Sequence, residues 1–342
     1  MISLQKRIHW IDSARGVCIF FVMMTHADRA ELTIFPHFFR PFFLPLFFVV
    51  SGYLFNANRN WKDFFQKEWR GLIVPYLCIS LFWFLIKAPL ALYRGEFPNF
   101  VTDTFYDIMT GRVYWFVACL SIVQIGYMIL YKFFLNRVSW WINILVGVLF
   151  LLTIFIINNR HSHLWWNADS ALYVMGFFII GNIIRKYNIV LQKPQIITQI
   201  VSILLLIGYV VITYSINWSA IGLDYDLHNN NFGSMPIMNL LLSIIGSSVI
   251  LYVCMNYNLG RYLRLLGEYS IVVYFLSGIG FTILNFIISG LGLSNINMSY
   301  PNLYYLSYCF LTGIFTIICA KLLNKYAPVT IGKKREKPIV ET

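Results

Sequence analysis

The chain has 342 residues, 59% hydrophobic and only 12% charged, with 30 Phe, 22 Tyr and 10 Trp. A soluble domain carries about twice that charged fraction, so this sequence cannot cover itself with polar surface and lipid must be its solvent. No succession of roughly ten-residue alternating segments marks an outer-membrane barrel, which leaves an all-α polytopic membrane protein.

Charge clusters and turn signals divide the chain into ten apolar segments, near 9–27, 39–57, 71–92, 113–134, 138–157, 168–184, 196–216, 235–255, 269–290 and 302–323. Most are long enough to cross about 30 Å of hydrocarbon at 1.5 Å per residue. Lys87 and Pro89 interrupt the third, leaving its outer end open. The sixth is the shortest, with a tilted or partly re-entrant course as the alternative. No small-x-small cleavage site follows "MISLQKRIHW", so the first segment is expected to stay as a signal-anchor. Residues 1–330 read as one transmembrane domain and 331–342 as a short basic cytoplasmic tail.

With the N-terminus in the cytoplasm, 20 of the 26 Lys and Arg residues fall on the cytoplasmic side. Only Arg29, Arg40, Lys87, Arg94, Arg112 and Arg160 fall outside. This positive-inside asymmetry accounts for the net charge of +12 without a nucleic-acid partner, and it puts both termini inside. The outer segments 93–112, 158–167 and 217–234 read as loops that mix Trp and Tyr with Asn, Asp and His. Such a mixture suits the apolar faces and hydroxyl edges of sugars, and it equally suits an interfacial aromatic belt. All six cysteines lie in apolar runs without a C-x-x-C pair and read as packing residues. No metal site is expected: His161 and His163 read as loop histidines.

The first segment, "IDSARGVCIFFVMMTHA", keeps an acid, a guanidinium and an imidazole in an apolar run. Arg15 and His26 are eleven residues apart, about three helical turns, and so share one stripe separated by a rise of about 16 Å. Asp12 precedes Arg15 by three residues, within pairing reach. Ionisable groups in a span face a bundle interior or a wet cavity by default and mark function; interfacial anchoring is the competing reading. In "FFLPLFFVVSGYLF" (42–55), Ser51 and Gly52 permit close backbone approach and Tyr53 adds a hydroxyl.

These stretches carry a resemblance. "WIDSARGVCIFFVMMTHA" resembles the first-helix signature of the membrane-bound acyltransferase-3 family, an acidic start, Arg-Gly, and His eleven residues after the Arg. "FFLPLFFVVSGYLF" is similar to its second-helix Ser-Gly-aromatic pattern, "VYWFVACL" (113–120) to its Trp-Phe-Leu element, and "LLGEYSIVVYFLSG" (265–278) to its late helix entry. Where the family often carries a His after that entry, this chain has Ser277.

The resemblance implies transfer of an acyl group, usually acetyl, from cytoplasmic acetyl-CoA or another acyl-CoA donor to a glycan or lipid-linked sugar acceptor across a bacterial plasma membrane, with no bound cofactor. It assigns catalysis to His26 and Arg15. A guanidinium at the inner mouth suits the donor's phosphates, with Arg59 and Arg70 on the adjacent basic stretch placed to help. An imidazole can take a proton from a sugar hydroxyl, or carry the acyl group itself. Ser51, Tyr53 and Trp115 are candidates for shaping the cavity or donating to the oxyanion, with packing as the alternative. A secondary transporter or glycan flippase is the competing class. It calls for carboxylates within spans and matching broken helices, and the carboxylates here lie at segment ends or in loops.

Overall fold

The computed structural model describes residues 8–27, 33, 35–159, 164–188, 196–218, 225–292 and 301–333. Lys6, Arg7, Arg29, Arg160, His161, His163, Lys193 and the tail beyond 333 lie outside the described residues. Each of the ten apolar segments forms helix: α1 (His9–His26), with α2 (Phe35–Phe39) leading into α3 (Phe43–Leu54); then α4 (Trp61–Glu68) leading into α5 (Val74–Tyr93); α6 (Phe97–Thr110) and α7 (Trp115–Leu130); α8 (Trp140–Leu152) with α9 (Ile154–Ile157); α10 (Ala168–Lys186), α11 (Ile196–Trp218), α12 (Pro236–Asn256), α13 (Gly260–Glu268), α14 (Ser270–Gly290) and α15 (Pro301–Tyr326). A hairpin of β1 (Tyr225–Asp226) and β2 (Asn231–Phe232) is the one sheet among the described residues.

Eight helices among the described residues are long and apolar enough to cross a membrane. α1 and α3, which carry the first two signatures, are not among them: α3 has only 12 residues, and the 18 of α1 include two His, Asp12 and Arg15. α1 buries 11 of its 18 residues and α3 nine of 12. α1 packs against α3, α12, α13, α14 and α15, so other helices take its place against lipid. A helix shielded in this way can keep ionisable groups at lower cost than one facing hydrocarbon. α11 is the opposite case, with 11% of its apolar window buried.

Two glycine-paired crossings fix this core. A Cβ on Gly16 would run into the Leu263 carbonyl of α13, and one on Gly267 into the Asp12 carbonyl of α1. α3 and α10 cross the same way, with Gly52 against Phe178 and Gly181 against Val49. Close backbone approach, expected at Gly52, is what small residues permit between helices where no hydrophobic force drives association.

The sixth segment, the shortest in the sequence, forms a continuous 19-residue helix, α10, with 12 residues buried, and with the turn before it is long and apolar enough to cross a membrane. α5 runs through Lys87 and Pro89 to Tyr93, which settles its outer end. The stretch 93–112, expected as a loop, holds α6. Phe97, Phe100, Thr104 and Ile108 turn inward at helical spacing, and Phe100 stacks on Phe84 of α5 at 5.3 Å. α4 and α13 are likewise short amphipathic helices at positions read as connecting segments. The Asn60 side chain caps α4 by accepting from the Asp63 amide at 2.8 Å, and a π-helical turn, Trp69–Ile73, carries the chain into α5.

Following the charge asymmetry, the end of the bundle with Asp12 and Arg15 is called inner and that with His26 outer. The described C-terminal residues lie at the inner end. There Gly332 packs on the Arg70 carbonyl and Lys333 lies over the Tyr269 ring at 4.6 Å.

Candidate active site

Arg15 and His26 face two separate cavities, of about 200 and 220 Å³. Both are far larger than the ~30 Å³ share of one water, so neither is a packing defect. The same four helices wall both. α1 gives Arg15 to the inner cavity and His26 to the outer, and α3 gives Phe47 and Ser51 to the inner and Phe43 and Leu44 to the outer. α7 gives Leu120 and Gln124 to the inner and Trp115 and Phe116 to the outer, while α14 gives Ile271 and Tyr274 respectively. Between them, Phe47 and Phe116 meet edge to face at 4.9 Å, and Phe116 meets Tyr274 at 5.7 Å. The two cavities thus lie along α1 on either side of a group of aromatic rings.

In the inner cavity, Arg15 Nη2 donates to Ser270 Oγ at 2.7 Å, and the guanidinium carbon lies 5.8 Å from the Phe47 ring centre. These contacts fix the planar group at the N-terminal end of α14. Lys67, Glu68, Gln124 and Ser51 share the cavity with it. Lys67 is exposed, whereas Glu68 is buried.

In the outer cavity, His26 is exposed in the last turn of α1. Tyr305 of α15 donates to the Met24 carbonyl, satisfying one of the helix's terminal acceptors. Arg40, Trp115, Asp226, His228 and Tyr274 face the same space. The His228 ring stacks on Trp115 at 4.9 Å and 27°. Its Nδ1 lies 3.4 Å from Asn167 Nδ2.

The hairpin that brings Asp226 and His228 over His26 is held by side-chain amides and carboxylates. Asp226 Oδ1 accepts from the His228 and Asn229 amides at 3.0 and 3.3 Å, fixing the turn. Asn230 donates to Asp169 Oδ2 at 2.6 Å and accepts from Ser170 Oγ at 2.8 Å. Asn158 Oδ1 accepts from the Phe232 amide at 2.9 Å, and Asn239 donates to the Phe232 carbonyl. A short hairpin seated on a helix end leaves backbone groups that need such partners. Several polar residues of 158–167 and 217–234, expected to suit sugars, therefore anchor the hairpin instead.

Of the residues singled out in the sequence, Arg15 and Ser51 meet in the inner cavity and His26 and Trp115 in the outer. Asp12 is buried on the stripe, its carbonyl against Gly267. Tyr53 packs edge to face on Trp10 at 4.9 Å and lines neither cavity. Arg59 and Arg70 line neither; Arg59 acts electrostatically on Lys67 and Glu68, and Arg70 is exposed. Glu268 closes α13 two residues before α14 begins. Sequence reading missed Ser270 and Tyr274 as site residues, although both stand in the "LGEYSIVVY" run that had been singled out. It also missed Arg40, Lys67, Glu68, Gln124, Asp226 and His228, for which no local pattern was a signal.

A family model for an acyltransferase domain matches residues 8–321. No curated protein and no solved structure matches the chain.

Proposed function

This chain belongs to the acyltransferase-3 family, and from that membership we propose that it is an integral-membrane O-acetyltransferase carrying acetyl from cytoplasmic acetyl-CoA to a hydroxyl of a cell-surface polysaccharide or its lipid-linked precursor. The observation that carries the reading is the division of labour along α1: a fixed guanidinium in one cavity, an imidazole in the other, and a partition between them. The donor's anionic end binds at the inner end near Arg15 and Lys67, and its thioester reaches past Phe47 and Phe116 toward His26. The acceptor hydroxyl enters the outer cavity. His26 takes its proton, the hydroxyl oxygen bonds to the thioester carbon, the carbon–sulfur bond breaks, and the thiolate leaves with the proton that His26 returns. Transfer through an acyl-imidazole on His26 uses the same two cavities in two steps.

A sugar acceptor is supported by the outer cavity's chemistry. The stacked Trp115 and His228 rings offer aromatic surface, while Asp226, Arg40 and Tyr274 supply polar edges. The bacterial plasma membrane is the setting in which such a donor and acceptor meet. A transporter or flippase would need no thioester chemistry, and family membership favours acyl transfer over it.

The test is a membrane-vesicle assay with radiolabelled acetyl-CoA and a supplied glycan acceptor, comparing wild type with His26→Ala and Arg15→Ala at matched expression. Label in glycan with wild type and with neither variant supports the reading. Undiminished labelling by His26→Ala would remove the imidazole from the mechanism. No label even with wild type would favour the transport class.

A further inference from the structure

The inner cavity holds a group that the reaction above does not use. Glu68 is 6% exposed, and its Oε2 is buried without a hydrogen-bond partner among the described residues. Its position runs against the pattern of its own helix. Phe64 and Glu68, one turn apart, are the two buried residues of α4. Phe64 fills its place with an aromatic contact to Phe55 at 5.8 Å. An apolar residue at 68 would continue that stripe without desolvating a carboxyl. A buried carboxyl in a cavity wall costs stability unless something satisfies it.

The cavity's other walls say what that something is. Arg15 and Lys67 suit an anion, yet a carboxylate beside them repels phosphate, so a ligand that is only phosphate or acyl phosphate leaves Glu68 unexplained. A plain acyl chain explains neither the cations nor the carboxyl. Phe47, Leu54, Leu72 and Leu120 line an apolar run, with Ser51 and Gln124 as neutral hydrogen-bonding groups. A flexible arm bearing secondary amides, attached to an anionic end, matches every one of these features. Its N–H groups meet an acceptor and its carbonyls meet the Gln124 amide.

Resting on the donor reading above, we propose that Glu68 is the residue that recognises the amide-bearing arm of a coenzyme A-type thioester, accepting a hydrogen bond from an N–H of that arm. Glu68 thereby selects the carrier rather than the acyl group. Sequence pattern gives no hint of this role, because a Glu in "QKEWR" reads as one more charge of a solvated face.

The experiment measures binding of coenzyme A, and separately of adenosine 3′,5′-bisphosphate, to the full chain in detergent or nanodiscs. Wild type, Glu68→Gln and Glu68→Leu are compared. The bisphosphate has the nucleotide and an anionic end but no amide arm. Glu68→Leu is expected to weaken coenzyme A binding by about tenfold or more, the scale of a lost hydrogen bond to a charged group, and, because it removes a like charge, to leave bisphosphate binding as strong as in wild type or stronger. Retained bisphosphate binding also reports that the variant is folded. Glu68→Gln keeps an acceptor oxygen and is expected to stay within about threefold of wild type. Equal coenzyme A binding by all three proteins, or parallel losses for both ligands in a variant that elutes as a folded species, would overturn the role given to Glu68 and leave the donor reading intact. Failure of wild type to bind coenzyme A would overturn the donor reading and this inference together.

Discussion

Arg15 and Ser270 stand 255 residues apart in the chain and 2.7 Å apart in the fold, the guanidinium of α1 donating to the hydroxyl that opens α14. The contact joins the first and last landmarks of the sequence into one unit, since Gly16 and Gly267 interlock a turn away. Ser270 is a positioning residue: it acts by holding Arg15. Ser270→Ala should lower transfer by about tenfold, the equivalent of about 1.5 kcal/mol for a hydrogen bond to a charged group. In an Arg15→Lys background the same change should have almost no further effect. A double-mutant cycle on acetyl transfer reads this directly, and additive losses would argue that the serine acts on its own.

The Gly16–Gly267 crossing makes a stability prediction. Gly267→Ala drives a methyl into the Asp12 carbonyl, so the helices must separate at a cost of about 3 kcal/mol. Gly278→Ala on α14 meets nothing within 4 Å and should be silent or mildly stabilising. Thermal unfolding in detergent, followed by size-exclusion chromatography, should place Gly267→Ala well below Gly278→Ala.

Because the two cavities are separate, chemistry and donor binding should come apart. His26→Gln is expected to lower transfer by about 100-fold or more while coenzyme A binding stays at the wild-type level. A parallel loss of binding would mean that the imidazole shapes the donor site.

The partition predicts acyl-group selectivity. Phe116 lines the outer cavity and touches both Phe47 and Tyr274. Phe116→Leu should raise the rate with butyryl-CoA relative to acetyl-CoA, at a stability cost of about 1 to 2 kcal/mol. An unchanged ratio across a series of acyl-CoA donors would show that the acyl group does not pass this ring.

The hairpin gives a complementary prediction at the outer end. Asn230 is 0% exposed and bonded to Asp169 and Ser170, so Asn230→Ala loses two buried hydrogen bonds at a cost of about 1 to 3 kcal/mol. The acceptor KM should rise, coenzyme A binding should hold, and limited proteolysis should cut first near residues 225–232.

How far the sequence foretold this arrangement depends on the range of each signal. The ten apolar segments coincide with helices because hydrocarbon imposes a long, local composition. Arg15 and His26 were legible because charges are rare in such runs, and Gly52 because small residues mark close approach. α4, α6 and α13 were not, since two or three turns of amphipathic pattern were masked by charge clusters and turn residues. The Arg15–Ser270 bond and the hairpin's hold on Asp169 are tertiary, and no local periodicity encodes them. Glu68 is the extreme case: its burial comes from what α4 packs against, not from its neighbours in sequence.

The two glycine-paired crossings bear on the proposed path of the donor from one cavity to the other. At α1–α13 and α3–α10, backbone rests on backbone, with no side chain between the helices to give way. Two of the four walls of that path therefore have little freedom to slide, because packed interiors are not continuously deformable. What can move is the partition itself: aromatic rings turning about their own side-chain bonds, a local event rather than a collective rearrangement. Opening the way from Arg15 to His26 then becomes a rotor problem inside a stationary frame, with its frequency set by how tightly Phe47, Phe116 and Tyr274 hold one another.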